Sequence, residues 1–169
     1  MRKAAKVVAF MVCIGAMSVS AFADGRGFQG QLAGSQPGEH VAGVPSGGAP
    51  WAMSNSEFSI ANNGNIQVQG RGLLISSGSA ANTIGPVTMV DAALVCGDVV
   101  TATTGAVTLS SAGDFSIHDT LTMPAQCIAP ALLIRIAATT TGPVADGAFI
   151  AVNAVMIGSK PPAGPDGGR

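Results

Sequence analysis

The sequence predicts an all-β protein: an antiparallel two-sheet sandwich, immunoglobulin-like, of about seven or eight strands. Three observations carry this. Apolar and polar residues alternate with the period of two that half-buried strands require, as in "SEFSIA" and "IQVQGRGLLI". Turn-forming clusters recur at roughly the 8–12-residue spacing of sandwiches and barrels. No window sustains a 3.6-residue period over a helix length with charged flanks.

The first 23 residues read as a cleavable secretory signal. Arg2, Lys3 and Lys6 precede an uncharged stretch from Val7 to Ala23 that ends in "AFA", the three-part pattern of an export signal. A membrane anchor is the competing reading. The stretch is short for a span, and Gly15, Ser18 and Ser20 make its second half small and polar. Residues 24–50 form a Gly/Pro-rich arm in which glycine and proline recur too often for a long helix. Within it only "FQGQL" suggests a short edge strand. Residues 51–158 hold the β-sandwich, and 159–169 ("SKPPAGPDGGR") have the composition of a disordered tail.

Inside the sandwich segment each strand has its own signature. "SEFSIA" puts Phe58 and Ile60 on one face, and "NNGN" is a hairpin turn because Asn and Gly tolerate positive φ. "IQVQGRGLLI" sets Ile66 and Val68 against Gln67, Gln69 and Arg71, with Gly70 and Gly72 suggesting a bulge or bend. "PVTMVDAALVCGDVVTA" reads as a long strand or a hairpin broken near Gly97-Asp98, with Val90, Ala92, Leu94 and Cys96 on one face. "GDFSIHDTLTM" aligns Phe115, Ile117, Leu121 and Met123. "ALLIRIAA" and "GAFIAVNAVMI" are apolar on both faces, as central strands are.

Composition excludes several functions. After signal removal five basic residues remain (Arg26, Arg71, Arg135, Lys160, Arg169) against nine acidic ones, a net charge of −4. Nucleic-acid binding rests on neutralising phosphates and has no basic patch to do so here. There is no tyrosine, and Trp51 is the only tryptophan, so an aromatic-platform sugar site is hard to build. Trp51, just after Pro50, reads as an anchor tying the arm to the sandwich, with a binding hot spot as the alternative.

Cys13 leaves with the signal. Cys96 and Cys127 remain in an exported chain, and an intramolecular disulfide is their default state. A zinc site would need further ligands at suitable spacing, which His40 and His118 do not supply. A thiol nucleophile would need a base and a free thiolate. No cofactor is implied.

One polar cluster stands out. In "GDFSIHDT", Asp114, Ser116 and His118 share a strand face, while Asp119 falls on the apolar one. These four residues are the candidates for a secreted hydrolase or metal-dependent enzyme. The plainer reading is a solvated strand face with Asp119 at the sheet margin or re-aimed by a bulge. Arg135, inside "ALLIRIAA", is expected to pair with Asp91 or Asp119; gating an anionic ligand is the alternative. "GRG" and "SGS" lack the helix that a phosphate loop requires.

The string "APW…GNIQVQGRGLLI…ALVC…GDFSI…LTMPAQCIAPALLIR", from Pro50 to about Met156, resembles a group of small exported bacterial proteins. Their pattern is a Pro-Trp, a "GLL" strand, an "LxC" strand and a P-x-x-C-x-x-P segment leading into "LLIR". The resemblance implies the sandwich and the disulfide, and no activity. "FQGQLAG" (28–34) also resembles the opening strand of CHRD-type domains, whose paired histidines this chain lacks.

Together these readings give a secreted or periplasmic module with a structural or binding role. Its partner would be a protein or envelope component, with no nucleic acid and no transmembrane span once the signal is cleaved. Assembly through an edge strand, the arm pairing onto a neighbouring molecule, is a further expectation. Nothing in the residues fixes an oligomeric state.

Overall fold

The computed structural model describes residues 27–144 and 147–153. The signal segment 1–23 and the tail 159–169 lie outside them. Among the described residues there is no helix, and none that could cross a membrane.

Fifteen strands are present. The first four fall in the expected arm: β1 (Phe28–Gly30), β2 (Leu32–Gly34), β3 (His40–Val41) and β4 (Val44–Pro45). Then come β5 (Trp51–Ala52), β6 (Asn55–Ile60), β7 (Asn65–Arg71), β8 (Leu74–Ile75), β9 (Val87–Cys96) and β10 (Val99–Thr103). The rest are β11 (Val107–Thr108), β12 (Phe115–Thr120), β13 (Ala131–Thr139), β14 (Gly142–Pro143) and β15 (Phe149–Asn153). Seven of them reach five residues: β6, β7, β9, β10, β12, β13 and β15. The excess over the seven or eight expected consists of two- and three-residue strands, too short to leave a periodic signal.

Four strands form one sheet in the order β1-β6-β7-β12. A seven-stranded sheet runs β10-β9-β13-β15-β2, with β11 on β9 and β14 on β13. Strand pairs β3-β4 and β5-β8 stand apart. All ladders are antiparallel. The four-stranded sheet runs in chain order, whereas the four-stranded immunoglobulin sheet runs A-B-E-D. The sequence leaves strand order open, and the order found differs from the immunoglobulin one; the all-β arrangement in antiparallel sheets stands. One buried cluster draws Phe58, Ile66, Val68 and Ile117 from the smaller sheet and Val90, Leu94, Leu132 and Ile134 from the larger.

The local sequence explains these elements. In β6 and β7 every second residue is buried, and Ile60↔Ile66 and Phe58↔Val68 pair across the hairpin. Its turn closes where Gly64, at φ +89°, donates to the Ala61 carbonyl and Asn63 Oδ1 accepts from Asn65 N–H. Gly70 is not a bulge. It sits opposite Phe115, whose ring covers it and would collide with any Cβ there. The bend comes two residues later, at Gly72 (φ +63°). The ladder irregularities lie in β10 and β13 instead.

The Gly/Pro-rich segment, in which the sequence suggests one short edge strand, is built into the sandwich over its described residues. β1 extends the small sheet beside β6, and after Gln31 the chain crosses so that β2 extends the large sheet beside β15. Gly34 allows this, because a Cβ there would strike the Trp51 carbonyl. Trp51 is buried in the common core, as the anchoring reading required. The β3-β4 hairpin covers the outer face of the large sheet, setting Val41, Ala42 and Val44 against Ala93, Val95, Leu133 and Phe149. This second small core is why "ALLIRIAA" and "GAFIAV" are apolar on both faces. The short strands β1 and β2 each pair on one side only, β1 with β6 and β2 with β15, so each is an edge strand of its sheet.

Cys96, at the end of β9, is disulfide-bonded to Cys127 in the connection between β12 and β13, with Cα atoms 4.9 Å apart. Gly97 N–H donates to the Ile128 carbonyl beside it (2.7 Å).

Candidate functional site

The alternation that buries one face of the small sheet turns the other face outward. Its register aligns the outward side chains into two rows crossing the strands. One row is Gln29, Ser59, Gln67 and His118. The next is Glu57, Gln69 and Ser116, flanked by Gln31. All eight residues are exposed. An open groove of about 520 Å³ runs over this face, lined by the polar residues Gln29, Gln31, Glu57, Ser59, Gln67 and Gln69 and by Gly30 and Phe58. The exposed large apolar residues of the described chain, Val99, Ile128 and Val144, all lie elsewhere. In the sequence Gln67 and Gln69 stand out only as the polar half of an alternation, and nothing singles out Gln29 and Gln31. No sequence signal separates a binding face from a solvated one. The ladder register that aligns the glutamines is set by pairing across the chain.

The predicted polar cluster is divided rather than gathered. Ser116 Oγ and His118 Nε2 lie 3.1 Å apart on the outward face of β12. Asp114, just before that strand, accepts from Gly72 N–H through Oδ1 (3.0 Å) and so holds the bend after β7. Asp119 sits on the inward side at the sheet margin, still exposed. Its Oδ2 accepts from Gly105 N–H (2.8 Å) and its Oδ1 from Thr120 N–H (2.7 Å). A nucleophilic serine needs a histidine that is itself oriented by a third group. Here both nearby carboxylates hold backbone amides. Among the described residues no three His, Cys, Asp or Glu side chains are grouped to hold a metal ion.

Asp119 joins the two layers, since Gly105 lies between β10 and β11 of the large sheet. The hydrogen bonds from Gly105 and then Thr120 favour the ionised carboxylate and hold it below the ordinary aspartate value of 3.8. Folding thus lowers this pKa. The contribution of this link to stability is present above about pH 4 and is lost as pH falls through the folded value. An NMR titration of the Asp119 carboxyl should give a midpoint below that of an unstructured aspartate; an ordinary midpoint would mean the Gly105 contact is absent in solution.

Arg135 and Asp91 face each other across β13 and β9, on the outer side of the large sheet. The guanidinium grips the carboxylate with two bonds, Nε to Oδ1 and Nη2 to Oδ2, each 2.9 Å. Asp91, not Asp119, is the partner. The side chains keep 8 % and 16 % exposure. Removing one member of a buried pair strands the other charge, at about 3–5 kcal/mol when burial is complete. Residual exposure of this pair lowers the expectation for Asp91→Ala to about 2 kcal/mol. Urea unfolding should register that loss, and Asp91→Leu/Arg135→Met should recover most of it.

The fold and this face define an all-β, disulfide-closed, two-layer protein with a polar open groove. Neither a family model nor a curated protein nor a solved structure matches the chain.

Proposed function

We propose that the protein is an exported β-sandwich that works by binding, through the outward face of β1, β6, β7 and β12, and not by catalysis. The observation that carries this is the register of that face: hydrogen-bonding side chains from four strands stand in two aligned rows beside a groove. The partner is a protein or an envelope component. Export to the periplasm or medium fits the Cys96–Cys127 disulfide, since such bonds persist in oxidising compartments. It also agrees with the signal-like N-terminus of the sequence.

The test is retention of the purified protein on envelope and extracellular material from a native host. The wild type should be retained, and Gln67→Ala/Gln69→Ala should be released. Equal retention of the two would rule this face out.

A hydrolase acting through Asp114, Ser116, His118 and Asp119 draws its one support from the Ser116–His118 contact. Ser116→Ala decides it: an ester or amide hydrolysis that vanishes in the variant would favour the enzyme. Equal, negligible turnover in both proteins favours binding.

A further inference from the structure

We infer that the ligand of this face is a neutral, hydroxyl-rich polymer, a glycan strand lying across β1, β6, β7 and β12 between the two rows of side chains. The inference rests on the binding role proposed above and adds the chemistry of what is bound.

Charge is the first argument. The groove carries one acidic side chain, Glu57, and its other polar side chains are the amides Gln29, Gln31, Gln67 and Gln69 and the hydroxyl of Ser59. The nearest arginine on the sheet, Arg71, stands at the end of β7, opposite Asn55. A polyanion would meet no array of cations here, and an acidic glycan would meet Glu57.

Hydrogen-bond capacity is the second. Each glutamine offers an acceptor oxygen and two N–H donors, and a serine hydroxyl offers both roles. A sugar hydroxyl likewise donates and accepts. A surface of neutral groups with both capacities suits a ligand of the same kind, where a metal or carboxylate ligand would call for one sign only.

Absence of an apolar anchor is the third. Protein interfaces carry their energy on buried aromatic or aliphatic residues at the centre of the patch. Phe58 reaches the groove only at its floor beside Gly30, at 4 % exposure, Phe115 turns inward, and the exposed large apolar side chains Val99, Ile128 and Val144 lie on other parts of the molecule. Recognition must come from hydrogen bonds in series, which favours a repeating polymer over a compact partner. The four strands span about 14 Å at ~4.8 Å per strand, enough for several such bonds in line.

Affinity electrophoresis tests this with defined probes: native gels containing a soluble β-glucan, a glucomannan or a galactan, and a parallel gel with polygalacturonate as the acidic comparison. The wild type should be retarded in at least one neutral gel, with little change between about 0.05 and 0.5 M salt because no ion pairs are involved. Gln67→Ala/Gln69→Ala should bind at least about tenfold more weakly, the equivalent of one or two hydrogen bonds. Both glutamines are exposed, so the variant should melt with the wild type; Gln29→Ala/Ser59→Ala probes the same face from β1 and β6. Val99→Ser, away from the face, should behave as wild type. Two results overturn the ligand class: retardation by polygalacturonate alone, or no retardation in any neutral gel while envelope retention is still lost in Gln67→Ala/Gln69→Ala. In the second case the face remains the binding site, with a different ligand. Neutral-gel retardation that both double variants retain would overturn the face itself.

Discussion

A chain lacking residues 24–49 is expected not to fold. The deletion removes β1 and β2, one edge strand from each large layer, and with them the β3-β4 cover. Leu32 of β2 is also the partner of Ser56 in β6: its N–H donates to Ser56 Oγ (2.7 Å) and the same hydroxyl donates to its carbonyl (3.0 Å). Ser56 is buried, so losing Leu32 leaves its hydroxyl without partners. On the other side of the molecule Phe149, Leu133 and Val95 lose the side chains that shield them. Each large apolar residue brought back to water costs about 1.5–3 kcal/mol when exposure is complete. Partial exposure of three, with the stranded Ser56 and two lost ladders, reaches the roughly 5–15 kcal/mol that holds a domain together. Circular dichroism and tryptophan fluorescence should find no cooperative melt in the deleted chain. A cooperative transition near that of the full protein would mean the segment is dispensable.

The second large effect belongs to the disulfide. Cys96 and Cys127 are 31 residues apart, and the chain-entropy model gives about 3–4 kcal/mol for closing a loop of that length. Cys96→Ala/Cys127→Ala should therefore lower the melting temperature by on the order of 10 °C. Non-reducing peptide mapping of the exported protein should recover the two cysteines joined. The polar face lies on strands the bond does not touch, so envelope retention should survive in the folded fraction at low temperature. A variant melting within two or three degrees of wild type would show that the bond is not a main support.

Much of the sandwich could be read because its long strands alternate. Period alone turns Phe58, Ile60, Ile66, Val68, Phe115 and Ile117 inward, and all six are buried. Segment 24–50 could not be read that way. Strands of two or three residues have no period, and glycines such as Gly34 that suggested looseness serve a close backbone approach to Trp51. Strand order was also hidden, since alternation gives the face of a residue and not its neighbouring strand. Asp119 looked out of place on an apolar face until the Gly105 loop folded over the sheet margin to meet it. The glutamine rows were legible one strand at a time, but their alignment depends on β1, β6, β7 and β12 coming together from distant parts of the chain. Arg135 was the easier case, because a charge on an otherwise apolar strand demands a partner, and Asp91 interrupted a second apolar strand in the same manner.

Backbone chemical-shift mapping tests the binding face most directly. The isotope-labelled protein is titrated with soluble fractions of native envelope or extracellular material, and amide shifts are followed residue by residue. Binding at the proposed face predicts shifts concentrated at Gln29, Ser59, Gln67, Gln69, Ser116 and His118 and their neighbours, with the large sheet silent. Shifts concentrated around Val99 and Ile128, or on the β3-β4 hairpin, with the glutamine rows unchanged, would contradict it.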